Sequence, residues 1–197
     1  MQLFSVSRKR KPKYEQGTAH KVYENKLNQD FHSDDINQKC CTDFTYLFLT
    51  DGSKQYNCTI IDLHDHSVVA SITDQNITAN LAKRTLEKAI ESQPRIVLNN
   101  LMLHSDQGSQ YTSKEFTEFC EKLGITQSMS KAGYPYDNAP MERYFNTLKS
   151  DLIYQHYYHT KEELYMAVEE FAYVQYNHVR PHSYNNYKTP YKARYGG

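Results

Sequence analysis

Residues 41–73 read CTDFTYLFLTDGSKQYNCTIIDLHDHSVVASIT and decide the fold class. Three segments within them are rich in β-branched and aromatic residues, a composition typical of β-strands. These predicted strands lie at 41–50, 55–63 and 68–73. Asp51-Gly52 separates the first two strands, and this dipeptide is a strong hairpin signal. Three strands joined by short turns predict an antiparallel meander.

The chain after the meander alternates helical and strand patterns. Residues 77–92 carry apolar side chains near helical spacing, with Asn76 as the expected N-cap. Further elements are predicted as a strand at 101–106, a helix at 113–124, a strand at 125–130, and helices at 141–155 and 161–177. The strand at 101–106 follows a helical crossover, so we expect it to run parallel to the first strand. The order β-β-β-α-β-α-β-α-α predicts an α/β fold with a mixed five-stranded sheet and helices on both faces.

The net charge of zero hides an uneven distribution. Residues 1–14 carry +5 and residues 176–197 carry +4, with no acid in either segment, so the remainder carries −9. Basic ends favour a polyanionic partner and an acidic middle favours cations, although charge alone is equally compatible with solvated tails. We divide the chain into a basic N-terminal arm (1–38), a central core (39–178) and a basic C-terminal tail (179–197). A weak helical pattern lies near 19–30.

Composition excludes several classes of protein. Apolar residues make up 39% of the chain, which is typical of a globular protein. No apolar run approaches the roughly 20 residues that span a bilayer, so we expect no membrane association. The N-terminal charges follow the short apolar stretch, which is the wrong order for a secretory signal. Four cysteines without a C-x-x-C pair indicate a reduced, cytoplasmic chain without a zinc site.

Three acidic residues occupy positions where predicted elements meet. Asp43 lies in the first strand, Asp106 ends the fourth strand in LHSDQGSQYTS (103–113), and Glu142 lies in the first turn of the helix after the loop 131–140. If the first and fourth strands are neighbours, the two aspartates can meet at one sheet edge. Carboxylates that converge repel one another unless they hold cations, and oxygen ligands favour Mg²⁺ or Mn²⁺. Two such ions can activate a water or hydroxyl and stabilise the leaving oxygen of a phosphodiester.

Each acid also has an ordinary structural interpretation. Asp43 suits a surface position on an edge strand, and Asp106 suits a strand-to-helix turn. Glu142 suits the first turn of a helix, where the dipole favours an acid. Spacing alone does not choose between these interpretations and a metal site.

Four ordered motifs together carry a resemblance to a known family. They are NQKCCTDFTY, LHSDQGSQYTSKEF, KAGYPYDNAPMERYFNTLKSDL and YNHVRPHSYNNYKTPYKAR. These motifs resemble the integrase-core transposases of bacterial insertion sequences, specifically the second-reading-frame protein of the IS-three family, a relative of retroviral integrase. The resemblance runs from about residue 9 to residue 194. The sequence departs from the family pattern at Cys40-Cys41, since the family usually carries a tryptophan shortly before the first aspartate. The helix-turn-helix region that usually lies upstream is also missing from this sequence.

The resemblance implies an RNase H-like fold with a DDE catalytic triad. It assigns the two aspartates to Asp43 and Asp106 and the glutamate to Glu142, as catalytic residues and as ligands of two Mg²⁺ or Mn²⁺ ions. The 35 residues between Asp106 and Glu142 are the family's usual separation. The implied partners are the terminal inverted repeats of the element, target DNA, a helix-turn-helix protein from the first reading frame, and further copies of the chain on DNA.

Five further residues are predicted to contact DNA. Lys149 lies two helical turns after Glu142, on the same face, where the resemblance implies contact with a DNA end; a solvated lysine is the alternative. The others are Lys131, Arg143, His104 and Arg180. His104 can instead orient Asp106 or be a structural histidine. Arg180 and His182, in the RPH motif, are expected to fix the tail against the core in preference to contacting phosphate.

These observations predict a metal-dependent polynucleotidyl transferase that nicks an insertion-sequence end and joins the freed 3′-hydroxyl to another phosphodiester. The alternative is a truncated, non-catalytic DNA-binding remnant of a transposase. Two other rivals are a nuclease that acts on RNA in a hybrid and a two-carboxylate glycosidase. The expected location is the bacterial cytoplasm, in association with the nucleoid.

Overall fold

The computed structural model describes residues 19–93 and 96–196. The fold is organised around one mixed sheet of five strands. The strand order is β3-β2-β1-β4-β5. The strands are β1 (Lys39–Phe48), β2 (Lys54–Asp62), β3 (Val68–Asp74), β4 (Met102–Ser105) and β5 (Thr126–Met129). β1, β2 and β3 pair antiparallel, whereas β4 pairs parallel to both β1 and β5. The predicted meander and the parallel fourth strand are confirmed.

Helices cover both faces of the sheet. They are α1 (Ala79–Ser92), α2 (Lys114–Lys122), α3 (Ala139–Leu148), α4 (Lys161–Glu170) and α5 (Pro190–Tyr195). Two of them continue with wider, π-helical turns, α3 over Lys149–Ile153 and α4 over Phe171–Val179. The α/β class and the helices on both faces are therefore as predicted.

Two apolar clusters hold these layers together. One lies between the sheet and the helices α3 and α4, and it includes Cys41, Leu47, Met141 and Leu148. The other lies between the sheet and α1 and α2, and it includes Cys40, Ile60, Leu86 and Phe116. Neighbouring residues of β1, such as Cys40 and Cys41, enter opposite clusters because side chains alternate along a strand.

Turn residues explain the local connections. Gly52 closes the β1–β2 hairpin with φ +82°, a left-handed conformation that glycine adopts without steric cost. α1 begins at Thr78, whose side chain accepts a hydrogen bond from the Leu81 N–H. The expectation that Asn76 caps this helix is therefore wrong; Thr78 is two residues closer to the first complete turn and has the required extended backbone.

The described part of the N-terminal arm is folded but not helical. Residues 19–30 contain no helix, so the predicted helical pattern is wrong there. Asn28 and Gln29 have positive φ angles, which end any helix. Leu27 is nevertheless buried in the first core cluster. Residues 1–18, which carry the basic run of the arm, lie outside the described residues.

The described part of the C-terminal tail also packs on the core. α5 carries Arg194, whose side chain is buried against Asp62 and Asp65 at the β2–β3 turn.

All four cysteines are buried and unpaired. Among the described helices, none is long and apolar enough to cross a membrane.

Candidate active site

The parallel pairing of β1 and β4 sets the two predicted aspartates beside one another. Cys41 pairs with His104 in the ladder of β1 with β4; Asp43 lies two residues beyond Cys41 in β1, and Asp106 lies two residues beyond His104, in the turn after β4. Adjacent strands are about 4.8 Å apart. Because side chains alternate along a strand, Asp43 lies on the same face of the sheet as Cys41, which is the face that α3 covers. Asp43 is half-buried, and its Oδ1 accepts a hydrogen bond from the Phe44 N–H at 2.7 Å.

Asp106 occupies the turn directly after β4, at the carboxyl end of that strand. The Gly108 N–H donates to its Oδ1 at 2.8 Å. A Cβ atom at residue 108 would stand 2.8 Å from the same oxygen, so a side chain there would require the Asp106 carboxylate to shift. Asp106 as a whole residue is exposed to solvent. Its carboxylate is nevertheless partly desolvated by the surrounding protein, and this desolvation raises its pKa. A nearby cation would favour the ionised form.

Tyr111 lies in the second apolar cluster, on the opposite face of the sheet, beside Thr42 of β1. Its hydroxyl is buried and lies 3.0 Å from the Thr42 Oγ1. Burial raises the pKa of Tyr111 well above its usual value, and the charges of Asp43 and Asp106 both contribute to the increase.

Asn138 attaches the start of α3 to β1. Its Nδ2 donates to the Thr42 carbonyl at 3.2 Å, one residue before Asp43. Glu142 follows Asn138 by one helical turn and is exposed. In the described parts of the chain, no three His, Cys, Asp or Glu side chains come close enough together to hold a metal ion. The helix of Glu142 is thus held at the level of the aspartate pair, while the three carboxylates do not form a compact cluster in this structure.

His104 is a buried residue of the sheet. It has no exposed surface, and its Nδ1 and Nε2 lie 2.9 Å from the Ser128 Oγ and 3.0 Å from the Ser130 Oγ. Burial lowers its pKa to about 4, so the ring is neutral at pH 7. This geometry favours the structural alternative, because a side chain without exposed surface is not available to DNA.

The remaining basic candidates lie on two regions of the surface. Lys131 and Arg143 are exposed on either side of the loop that leads into α3, and Lys149 is half-buried at the end of α3. Arg180 forms an ion pair with Asp151 at 3.3 Å, in the π-helical continuation of α3. His182 is buried edge-on against Tyr176, with ring centroids 4.5 Å apart. The RPH segment therefore contacts the core, as the preferred interpretation of this motif expects.

Sequence reasoning missed two residues that organise the site. Asn138 had a signal, because a residue of the N-cap type followed by Ala139-Pro140 is typical of a helix start. Tyr111 had none, since its contact with Thr42 joins residues 69 positions apart.

The sheet order, the two-faced helical cover and the acidic positions at the β1–β4 edge define the class of protein as RNase H-like, the fold of the retroviral integrase cores to which it is similar. The HTLV-2 integrase catalytic core domain in complex with magnesium superposes with a TM-score of 0.64 at 17% identity, over 82% of this chain and 99% of that one. The BIV integrase catalytic core domain gives 0.59 at 20% identity, over 80% and 93%. Family models described as the integrase core domain match residues 34–135 and 123–190. The chain belongs to the integrase core domain family.

Curated relatives are proteins of bacterial insertion sequences. The chain is 34% identical over 165 residues to the transposase InsF for insertion sequence IS3A of Escherichia coli (strain K12), covering 83% of this chain and 56% of the relative. It is 33% identical over 162 residues to an uncharacterized 31 kDa protein of insertion element IS600 from Shigella sonnei, covering 82% and 58%. The chain spans a little over half the length of these relatives.

Proposed function

We propose that this chain is the catalytic core of an insertion-sequence transposase, which cleaves a phosphodiester at the element end and transfers the strand to target DNA. The observation that carries the proposal is the pairing of Cys41 with His104 on adjacent parallel strands, which brings Asp43 and Asp106, each two residues further along the chain, to the same end of these strands in a chain of the integrase core domain family. Asp43, Asp106 and Glu142 are the proposed catalytic residues. Glu142 would approach the pair from the first turn of α3, which Asn138 holds against β1.

The donor chemistry of this edge suits Mg²⁺ or Mn²⁺. Carboxylate oxygens are the ligands these ions prefer, and burial raises the pKa of Asp106, so a bound cation would favour its ionised form. The solved HTLV-2 core is described in complex with magnesium. We propose that Asp43 and Asp106 hold the first ion and that Glu142 completes a site for a second. Such ions, when bound, lower the pKa of the attacking hydroxyl and stabilise the leaving oxygen.

The protein's own residues would orient the DNA. Lys131, Arg143 and Lys149 lie on or beside the helix that carries Glu142, where they would contact the phosphates of the element end. Arg180 is assigned mainly to its ion pair with Asp151. We propose that the partners are terminal inverted repeats, target DNA, a helix-turn-helix protein from the first reading frame and further copies of this chain. The proposed location is the bacterial cytoplasm, on the nucleoid.

A strand-transfer assay tests the proposal. The substrate is a duplex that ends in a pre-exposed 3′-hydroxyl at the element terminus, with supercoiled plasmid as target. We expect joined product with Mn²⁺, none with chelator, and none with Asp106→Asn or Glu142→Gln. Ser109→Ala serves as a control, because it lies in the same exposed turn without supplying a carboxylate. Product that forms equally in the presence of chelator would refute the metal site.

The non-catalytic remnant predicts a different result. A remnant would bind DNA and remain folded, yet give no joined product under any metal condition. A DNA-binding measurement on the same preparation therefore separates the two hypotheses.

A further inference from the structure

Asp137 is a buried carboxylate that faces the N-terminal arm. It is only 3% exposed, and it lies immediately before the residue that attaches α3 to β1. Its Oδ1 accepts a hydrogen bond from the Gln29 Nε2 at 2.8 Å. Its Oδ2 accepts from the Asn25 Nδ2 at 2.9 Å and from the Lys131 N–H at 3.0 Å. The hydrogen bond from Gln29 is the main cause of a lowered pKa of Asp137, so the carboxylate is ionised at neutral pH.

The arm is shaped to bring both amide side chains to this carboxylate. Asn28 and Gln29 adopt positive φ angles of 47° and 62°, and this tight turn lets Gln29 point back toward the position of Asn25. The Asn25 Oδ1 accepts from the Asn28 N–H at 2.9 Å, so that its Nδ2 is left to donate to Asp137. Positive φ is unfavourable for residues other than glycine, and it persists here because the surrounding contacts hold it.

The same stretch of the arm is anchored to the sheet. The Lys26 and Leu27 N–H groups donate to the Ser128 Oγ on β5, at 2.9 and 3.0 Å. The arm therefore has a fixed position relative to β5 when its side chains reach the loop. The hydrogen bonds to Asp137 transmit that position to the segment that precedes α3.

Asp137 and Asn138 together fasten the start of α3 on two sides. Asp137 binds the arm, and Asn138 binds the carbonyl of Thr42 beside Asp43. Glu142 lies one turn further along the helix. We propose that Asp137 is a positioning residue for Glu142, and that Asn25 and Gln29 of the arm act through it to set how Glu142 meets the aspartate pair. This inference rests on the proposed function, because it assigns a role to the arm in the same reaction.

A swap of donor and acceptor tests the inference. Gln29→Glu places a carboxylate against Asp137, so we expect kcat for strand transfer to fall about 10-fold while KM for DNA stays within about 2-fold, since misplacing a catalytic group by about 1 Å can cost up to about 100-fold. In Gln29→Glu/Asp137→Asn the new amide can donate to the new carboxylate, while its carbonyl still accepts from Asn25 and Lys131. We expect the double variant to recover kcat to within about 3-fold of wild type.

The control variant is Glu121→Gln. Glu121 also binds the arm, through Lys21 and Tyr23, but it lies on α2 and not in the loop before α3. We expect its kcat to equal that of wild type. Amide hydrogen exchange of residues 131–142, measured without DNA, supplies a second readout: it should accelerate in Gln29→Glu and slow again in the double variant.

The outcomes separate the inference from the proposed function. An inactive wild type, or a Glu142→Gln variant as active as wild type, would reject the proposed function. An active wild type with an inactive Glu142→Gln would uphold the proposed function. The positioning role of Asp137 is then rejected if Gln29→Glu has the kcat and exchange rates of wild type. It is also rejected if the double variant recovers neither kcat nor the exchange rates. Because Gln29 is exposed, its substitution leaves the apolar core intact, and thermal unfolding verifies that each variant is folded.

Discussion

Replacing Arg194 with alanine should destabilise the protein by about 3–5 kcal/mol, the usual cost of removing one partner from a buried ion pair. The Arg194 side chain is 3% exposed, and its Nη1 lies 2.9 Å from Asp62 and 2.7 Å from Asp65, which are themselves buried. Its Nη2 donates to Asn37 and Gln93, both at 2.7 Å. The variant would leave two carboxylates without their counter-ion. Total stabilities are typically about 5–15 kcal/mol, so this loss is large.

Equilibrium urea unfolding measures the effect, with Arg84→Ala as the matched control. Arg84 pairs with Asp74 at 2.8 Å, a similar distance, but its side chain is 44% exposed. Exposed pairs contribute about 0.2–1 kcal/mol, so the control should lose no more than that. Equal losses in the two variants would refute the argument that burial of the Arg194 cluster decides its contribution, and with it the description of the tail as part of the folded core.

The same variant has a predictable pH dependence. Burial raises the pKa of Asp62, and Arg194 opposes that increase. Without the guanidinium the folded-state pKa rises further above the unfolded value of about 4. The folded variant then binds a proton that the unfolded chain releases, so its stability should improve as the pH falls from 7 toward 4. A penalty that stays constant over this range would contradict the assignment.

Three further predictions concern the site and the buried histidines. Asp106→Asn should abolish strand transfer without loss of stability, because burial raises the pKa of Asp106 and the amide removes the desolvated charge; a destabilised variant in urea unfolding would contradict this. Burial lowers the pKa of His66, His104 and His182 to about 4, below the unfolded value of about 6.5. Their contribution to the free energy of unfolding should therefore be fully present above pH 6.5 and be lost as the pH falls from 6.5 to 4. Unfolding curves that coincide at pH 7 and 4.5 would refute this. Lys149→Ala should weaken DNA binding and reduce the slope of log K against log salt by about 1, and an unchanged slope would remove its phosphate contact.

Local patterns were sufficient to predict most of the fold. The composition of β1, β2 and β3 and the Asp51-Gly52 turn are properties of consecutive residues, and they correctly predicted the meander. A helical crossover before β4 favours a parallel pairing, which made the proximity of Asp43 and Asp106 a reasonable expectation. The register of β1 with β4 depends on the hydrogen bonds of the sheet, and only the structure supplies it.

The features that sequence did not predict depend on distant contacts. The pattern at 19–30 resembles a weak helix, but contacts of this segment with Ser128 and Asp137 hold it in an irregular conformation. Arg194 is a tail cation in the sequence, yet it is buried against two acids that lie about 130 residues earlier. The sequence allowed His104 to contact DNA, but in the structure both of its ring nitrogens lie within hydrogen-bond distance of serine hydroxyls, those of Ser128 and Ser130.

Anomalous diffraction from crystals soaked in Mn²⁺ tests the central claim most directly, because it locates the ion independently of turnover. We expect a peak between the carboxylates of Asp43 and Asp106, beside the parallel pair of strands β1 and β4. The peak should be lost in Asp106→Asn crystals that retain the same fold. A wild-type structure with strong manganese peaks elsewhere and none at this position, or an unchanged peak in the variant, would contradict the assignment of this position as the catalytic site.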